Sequence, residues 1–326
     1  MGTSFFELPS EDQQRSLTAF ASDLLKNYGI HDAKISCINF EFNATFSVET
    51  DSGTKYALRI NINSTRTVEN MKGEIEWVRH LNRTSGIHTP TPIATLNDNY
   101  IISGFHKDSE QTLHAVMYSW LEGEELGDEP TLEQLHEVGR AIAILHQESH
   151  DFSLTSESSL PTFNDFFWGT EDYLFSSKSK LSDTDRALIK EAHDHIMKFT
   201  NELYVNSPVH IIHADFHGWN LMWNDNRLSI FDFDDCGFGV EAQDLAVVLY
   251  YLDTPEQDVA ILNGYRSVKP LPQYSDLAMK ALLLQRRLLL LNYLFETKNQ
   301  EHQEMLPAYL EKSLERVKTF LTDVRG

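Results

Sequence analysis

His213, Asp215, His217 and Asn220, followed after two short apolar runs by Asp232, Asp234 and Asp235, bring proton-moving and cation-holding side chains into one stretch, 213–235. Three readings fit it. Histidine and carboxylate at alternate positions can seat a transition metal. The oxygen-bearing set Asp215, Asn220 and Asp232 suits Mg²⁺, which needs only one or two protein ligands and takes the rest from water and phosphate. The third reading is mechanical, because Asp and Asn are ordinary turn residues and would merely end a hairpin.

The residues in between predict that hairpin. "NLMW" and "LSIFDF" are apolar runs separated by "NDNR", a turn sequence. Its open end carries Asn220 and Asp232, and Asp215 lies on the loop just before it. The three side chains then converge. Asn220 and Asp232 are placed to hold a cation, leaving Asp215 to accept a proton from an attacking hydroxyl or to orient it.

The spacing His213-x-Asp215-x4-Asn220, with Asp232 downstream, resembles the catalytic and metal-binding loops of protein kinases. It is more similar still to the aminoglycoside phosphotransferase and choline kinase family, where "HxDxxxxN" and then "IDFDD" is the usual form. The resemblance implies Asp215 as catalytic base, Asn220 and Asp232 as Mg²⁺ ligands, ATP as phosphoryl donor and a small-molecule hydroxyl as acceptor. It also implies an α+β, bilobal, protein-kinase-like fold: an N-terminal antiparallel β-sheet lobe with a C-helix, and a larger, mostly helical C-terminal lobe. The corresponding boundaries are 1–115, a hinge at 116–122, and 123–326.

Further matches follow from the same resemblance. "YALRI" (56–60) places Arg59 where protein kinases carry the phosphate-contacting lysine, and an arginine fork there binds two phosphate oxygens at once. Glu74, with Glu76 as the neighbouring alternative, matches its acidic partner. "MYSWLEG" resembles the hinge, whose main chain around Ser119 and Leu121 would meet adenine, with Trp120 beside it. The phosphate-covering turn "FEFNAT" (40–45) departs from protein kinases in having no glycine, and Asn43 is its candidate polar contact. Asp234 stands where those kinases have the glycine of DFG, which favours the small-molecule branch over a switchable protein kinase. Asp244 of "DLA" matches an aspartate that braces the catalytic loop, and "GYRSVKPLP" (264–272) resembles a branch that includes homoserine-kinase-like and stress-response kinase relatives.

For the acceptor, His217 and Asp234 are expected to face substrate, with Asp234 also a candidate for a second metal. Trp168, Glu171 and Asp172 in "FNDFFWGTEDYLF" are the candidates for meeting an amine-bearing ligand. His213 is read as holding the loop, and His146 as a packed helix residue. The rival activities are a Ser/Thr protein kinase of the stress-response type and a metal-dependent hydrolase.

The elements that must carry these residues change period along the chain. A helix opens near a Ser10–Gln13 capping box and ends at Gly29, with Leu17, Phe20, Leu24 and Leu25 at helical spacing. Residues 35–61 alternate as an antiparallel meander, 69–82 read as a helix, and "TPTPI" with 99–121 return to strands. Beyond a connector near 116–123 the pattern is helical. Leu132, Leu135, Val138, Ile142 and Leu145 make one stripe, and further helices fall near 183–204, 242–252 and 275–297, while "VHIIHADF" is strand-like.

Composition narrows the partners. Forty-nine acidic against 27 basic side chains give a formal net charge of -22, which repels nucleic acid and anionic lipid and favours a cationic small molecule. Cys37 and Cys236 make no zinc or disulfide pattern, as expected of a reducing cytoplasm. The N-terminal residues lack a signal peptide's basic and apolar regions, and Phe6 spoils a myristoylation pattern. "ALLLQRRLLLLNYLF" (281–295) is interrupted by Gln285, Arg286 and Arg287, too polar for a membrane span. The expectation is a cytoplasmic monomer or homodimer.

Overall fold

The computed structural model describes residues 4–326; residues 1–3, where an acylation signal would begin, lie outside the described residues. In chain order the elements are α1 (Ser10–Leu25), β1 (Ala33–Phe40), β2 (Asn43–Thr50), β3 (Lys55–Asn61), α2 (Val68–Thr84), β4 (Ile101–His106), β5 (Gln111–Ser119), β6 (Glu124–Glu125), α3 (Leu132–His150), α4 (Asp183–Asn206), β7 (His210–Ile212), β8 (Leu221–Asn224), β9 (Arg227–Ile230), β10 (Gly237–Gly239), α5 (Glu241–Tyr250), α6 (Pro255–Arg266), α7 (Asp276–Glu296) and α8 (Gln300–Arg325). They form two compact units. The first holds the residues up to Glu124 with Phe152–Ser159 and Met222–Asp234; the second holds Glu125–Asp151, Leu160–Leu221 and Asp235–Gly326.

In the first unit five antiparallel strands run in the order β1-β2-β3-β5-β4. Side chains alternate between faces, so burying one set fixes the other. Ala44, Phe46, Val48, Leu58 and Ile60 pack against Leu17, Ala21, Leu24 and Leu25 of α1. The opposite face therefore carries the cross-strand pairs Thr45–Arg59 and Asn43–Asn61. Helix α2 starts from a Thr67–Asn70 capping box and packs Met71 and Ile75 on Val116 and Tyr118, which presents Glu74 to that same face. In the β8–β9 hairpin, Asp225 and Asn226 both take positive φ, 47° and 61°, as a two-residue primed turn demands.

The second unit is mostly helical. Ile189 and Ile196 of α4, Leu284, Leu288 and Leu291 of α7, and Val317 and Phe320 of α8 share one core. Strands β7 and β10 pair antiparallel. The polar interruption in α7 turns inward: Gln285 is buried and donates to Phe166 O (3.0 Å), while Arg287 donates to Ser313 Oγ (3.1 Å). Among the described residues no helix is long and apolar enough to cross a membrane.

Several local expectations are corrected. Pro9, not Ser10, takes the N-cap of α1, so the capping box does not form and Gln13 Nε2 donates to Leu8 O (2.8 Å). "TPTPI" makes only an isolated bridge, Pro92 opposite Tyr118, because Pro90 and Pro92 have no N–H to give a ladder. "VHIIHADF" is strand only at His210–Ile212; Ala214, at φ 67°, turns the chain out of extension. Residues 116–119 of the expected connector belong to β5. Leu132 opens α3 exposed rather than in its buried stripe. Helices α6 and α8 and strand β10 had no counterpart in the sequence pattern.

Candidate active site

One group of functional side chains is built on β3. Arg59, buried on the polar sheet face, donates from Nη1 to Glu74 Oε1 (3.0 Å) and from Nη2 to Glu74 Oε2 (2.5 Å). Tyr118 Oη also donates to Glu74 Oε1 (2.7 Å), fixing the carboxylate from behind. Glu76, the alternative partner, is engaged elsewhere: Thr155 N (2.9 Å) and Ser158 Oγ (2.6 Å) donate to it. Asp234 Oδ1 lies 3.4 Å and Asp232 Oδ1 3.9 Å from the Arg59 guanidinium, and Asn43 Nδ2 donates to Asp234 Oδ2 (2.8 Å). Burial opposes the charge on Arg59, but Glu74 and Asp234 outweigh it and hold its pKa well above the ordinary guanidinium value.

This face is not saturated. Arg59 Nε, Asn43 Oδ1, Asp234 Oδ1 and both amide atoms of Asn61 are buried without a hydrogen-bond partner among the described residues. Such groups are rare in proteins and point to a polar ligand. Asn61 was missed in the sequence, although its position two residues after Arg59 on a strand puts both on one face. The glycine-free turn before β2 is instead tied down by Asn63, whose N donates to Phe42 O (2.9 Å) and whose Nδ2 donates to Glu41 O (2.8 Å). At the expected adenine contact, Ser119 N already donates to Thr91 O (2.8 Å), whereas Leu121 makes no such loop hydrogen bond among the described residues.

The second group centres on Asp215. Its loop is held by Asp244, fully buried in α5, which accepts from His213 N (3.0 Å) and Ala214 N (2.7 Å) and bonds His146 Nε2 (3.0 Å). The Ala214 N–H bond anchors the residue with positive φ. His213 stacks on Phe216, ring centroids 4.5 Å apart, and its Nδ1 accepts from Asp215 N (3.3 Å). His146 also bonds Tyr265 Oη (2.9 Å). Both histidines thus hold structure, as expected of them.

Asn220 Nδ2 donates to Asp215 O (3.0 Å) and Oδ2 (2.9 Å), which leaves its Oδ1 uncommitted. His217, expected to face substrate or solvent, donates from Nε2 to Asp215 Oδ2 (3.1 Å), its Nδ1 accepting from Trp219 N (3.3 Å). Arg286 Nη2 bonds Asp215 Oδ1 and donates to Tyr251 Oη (2.7 Å). Burial by itself would raise the Asp215 pKa; Arg286 and the His217 hydrogen bond overcome it and hold the carboxyl well below the usual range. Arg286 and Tyr251 were not singled out in the sequence, and no local spacing marks them.

Other expected acceptor residues have different partners. Trp168 packs on Phe163, centroids 5.0 Å apart, Glu171 pairs with Lys178, and Asp172 Oδ1 accepts from Leu174 N (2.9 Å) and Phe175 N (2.7 Å). Among the described residues no three His, Cys, Asp or Glu side chains gather as a metal cluster.

An antiparallel-sheet N-terminal unit followed by a helical one, with an arginine on β3 paired to a glutamate on α2 and a braced aspartate loop after β7, defines a protein-kinase-like phosphotransferase. The phosphotransferase enzyme family (APH) matches residues 41–277, and the chain belongs to it. Amicoumacin kinase of Bacillus subtilis (strain 168) is 26% identical over 274 residues, 78% of this chain and 79% of that protein. Homoserine kinase of Parvibaculum lavamentivorans is 27% identical over 278 residues, 82% and 79% of the two chains. Among solved structures, a microcompartment-associated aminopropanol kinase shares the fold with a TM-score of 0.79 at 22% identity, over 94% of this chain and 98% of that one. An amicoumacin kinase in complex with AMP-PNP, Ca²⁺ and Ami gives 0.77 at 16% identity, over 94% and 96%.

Proposed function

We propose that the protein moves the γ-phosphoryl group of ATP, with Mg²⁺, to the hydroxyl of a small molecule of the amino alcohol, amino sugar or aminoglycoside type. The observation that carries the reading is the Asn220 side chain, whose amide nitrogen fixes Asp215 while its oxygen stays uncommitted beside that carboxylate.

Asn220 Oδ1 and the Asp232 carboxylate, 45% exposed and set on a left-handed residue, are each oxygen donors of the kind a hard cation takes, as the family resemblance implies. A bound Mg²⁺ would supply neutralisation of charge on the transferring phosphoryl group. Arg59, held flat by Glu74 and Tyr118, offers its remaining N–H groups to phosphate oxygens, with Asn43 and Asn61 on the same sheet face. Asp215 accepts the hydrogen bond of the acceptor hydroxyl and aligns it for in-line attack. Held strongly acidic by Arg286, it stays an anion at neutral pH and acts first as an orienting acceptor. The main chain near Leu121 is assigned to adenine.

The protein-kinase alternative is disfavoured because the stretch from Asp232 to α5 holds only a short turn and β10, with no room for an activation segment. The relatives' names also concern small molecules. ATP-dependent phosphorylation of an amino alcohol panel, with Mg²⁺ and again with excess EDTA, tests the reading. It requires metal-dependent ADP release tied to acceptor; release indifferent to both contradicts it.

A further inference from the structure

A cavity of about 130 Å³ lies in the second unit, one residue removed from Asp215. Its floor is aliphatic, formed by Leu135 and Val138 of α3, Val248 of α5 and Leu252. Its rim carries Asp128, Trp219 and Tyr251. Tyr251 receives the Arg286 hydrogen bond, and its ring lies 5.2 Å from that of His217, which donates to Asp215. The rim is therefore tied to the reacting carboxylate through two separate side chains.

Three properties point to the occupant. First, Trp219 and Tyr251 are 52% and 39% exposed, and large aromatics held open beside an aliphatic floor commonly mark a ligand site. Second, no lysine or arginine lines the cavity among the described residues, whereas Asp128 does. One of its oxygens accepts from Trp219 Nε1 (3.2 Å), which fixes carboxylate and indole together and leaves the other oxygen to a ligand. A carboxylate beside two aromatic faces is complementary to an ammonium group. Third, apolar cavities of roughly 150 Å³ take up benzene, so this one suits a slightly smaller branched aliphatic group. The mouth is built for close approach: a Cβ on Gly218 would come within 1.8 Å of Gly127 O, so only glycine lets these backbones meet.

Resting on the phosphotransfer reading, we infer that this cavity selects the acceptor. The acceptor is an amino alcohol whose branched aliphatic group fills the aliphatic floor, whose ammonium meets Asp128 between Trp219 and Tyr251, and whose hydroxyl reaches Asp215. The selecting residues are then Asp128, Trp219, Tyr251 and Leu252, in place of Trp168, Glu171 and Asp172.

Calorimetric titration of the full chain without ATP tests the inference. The probes are 2-amino-4-methylpentan-1-ol, its anionic counterpart 2-hydroxy-4-methylpentanoate, and 2-aminoethanol, which lacks the branch. The first should bind at least tenfold more tightly than either of the others. Asp128→Asn, at an exposed position, should cost the amines about tenfold, and Leu252→Trp should erase the advantage of the branched probe over 2-aminoethanol. Both variants should keep the parent's affinity for a fluorescent ATP analogue, which shows that they fold. Equal binding of the three probes, absent binding of the branched amine, or wild-type affinity in both variants would overturn the assignment. Because binding is read without turnover, a bound amine that is never phosphorylated counts against the phosphotransfer reading alone.

Discussion

Both units place an arginine against a carboxylate, but in opposite ways. Arg59 meets Glu74 with two nitrogens, from a strand and the helix that follows it, 15 residues apart. Arg286 meets Asp215 with one nitrogen, shares it with Tyr251, and arrives from α7, 71 residues later. The first pair is closed by two parallel bonds, with Asp234 Oδ1 3.4 Å from the same guanidinium. The second is open: Asp215 divides its oxygens among Arg286, His217 and Asn220, an arrangement that orients a carboxylate without sealing it. Under the proposed function, one arginine would serve as scaffold for phosphate contact and the other would tune the group that faces the acceptor.

The largest effect separating them is on stability. Arg59→Ala strands Glu74 in a buried site and should cost about 3–5 kcal/mol in urea unfolding, with loss of nucleotide affinity; a cost below about 1 kcal/mol would mean the pair is not closed. Asp244→Ala comes next. It leaves two buried main-chain N–H groups and His146 Nε2 unpaired and should cost about 3 kcal/mol, while phosphoryl transfer falls with the loop it braces. Arg286→Gln should be milder, lowering kcat about tenfold, roughly 1.4 kcal/mol of transition-state stabilisation, with nucleotide affinity unchanged; an equal loss of nucleotide binding would erase the contrast between the two arginines.

The smallest effect is on pH dependence. Burial lowers the pKa of His88 and His106 in the first unit and of His210 in the second. A histidine whose folded pKa is depressed contributes fully above its ordinary value near 6.5. As pH falls below that value the unfolded chain takes up protons first, so stability declines toward the folded pKa. The urea midpoint should therefore be lower at pH 5.5 than at pH 7.5, and His106→Asn should shrink the difference. A midpoint that rises on acidification would contradict the assignment of neutral buried imidazoles.

What the sequence disclosed follows the same contrast. The hairpin and the Asp215–Asn220 spacing are encoded by period and by short separations, so local reading reaches them, whereas the Arg59–Glu74 pair came from the family resemblance. Asp244 needed the family resemblance, since nothing local ties it to a loop 30 residues away. Arg286 stayed hidden because it sits in a leucine-rich run, where it served only to exclude a membrane span. Its partner is set by how α7 packs in the second unit, which spacing does not express. The candidate acceptor residues show the same limit: the composition of "FNDFFWGTEDYLF" does not express that Glu171 pairs with Lys178 or that Asp172 accepts from main-chain N–H groups.

The central claim is that Asp215 serves phosphoryl transfer and not nucleotide binding. Asp215→Asn keeps the shape of the side chain and removes its charge, so rapid-quench measurement of phosphoryl transfer to an amino alcohol, beside ATP affinity by fluorescence, tests the claim directly. Transfer should fall by about 10²–10⁴ while ATP affinity changes by no more than about threefold. Transfer within tenfold of the parent, or a parallel collapse of ATP binding, would contradict it.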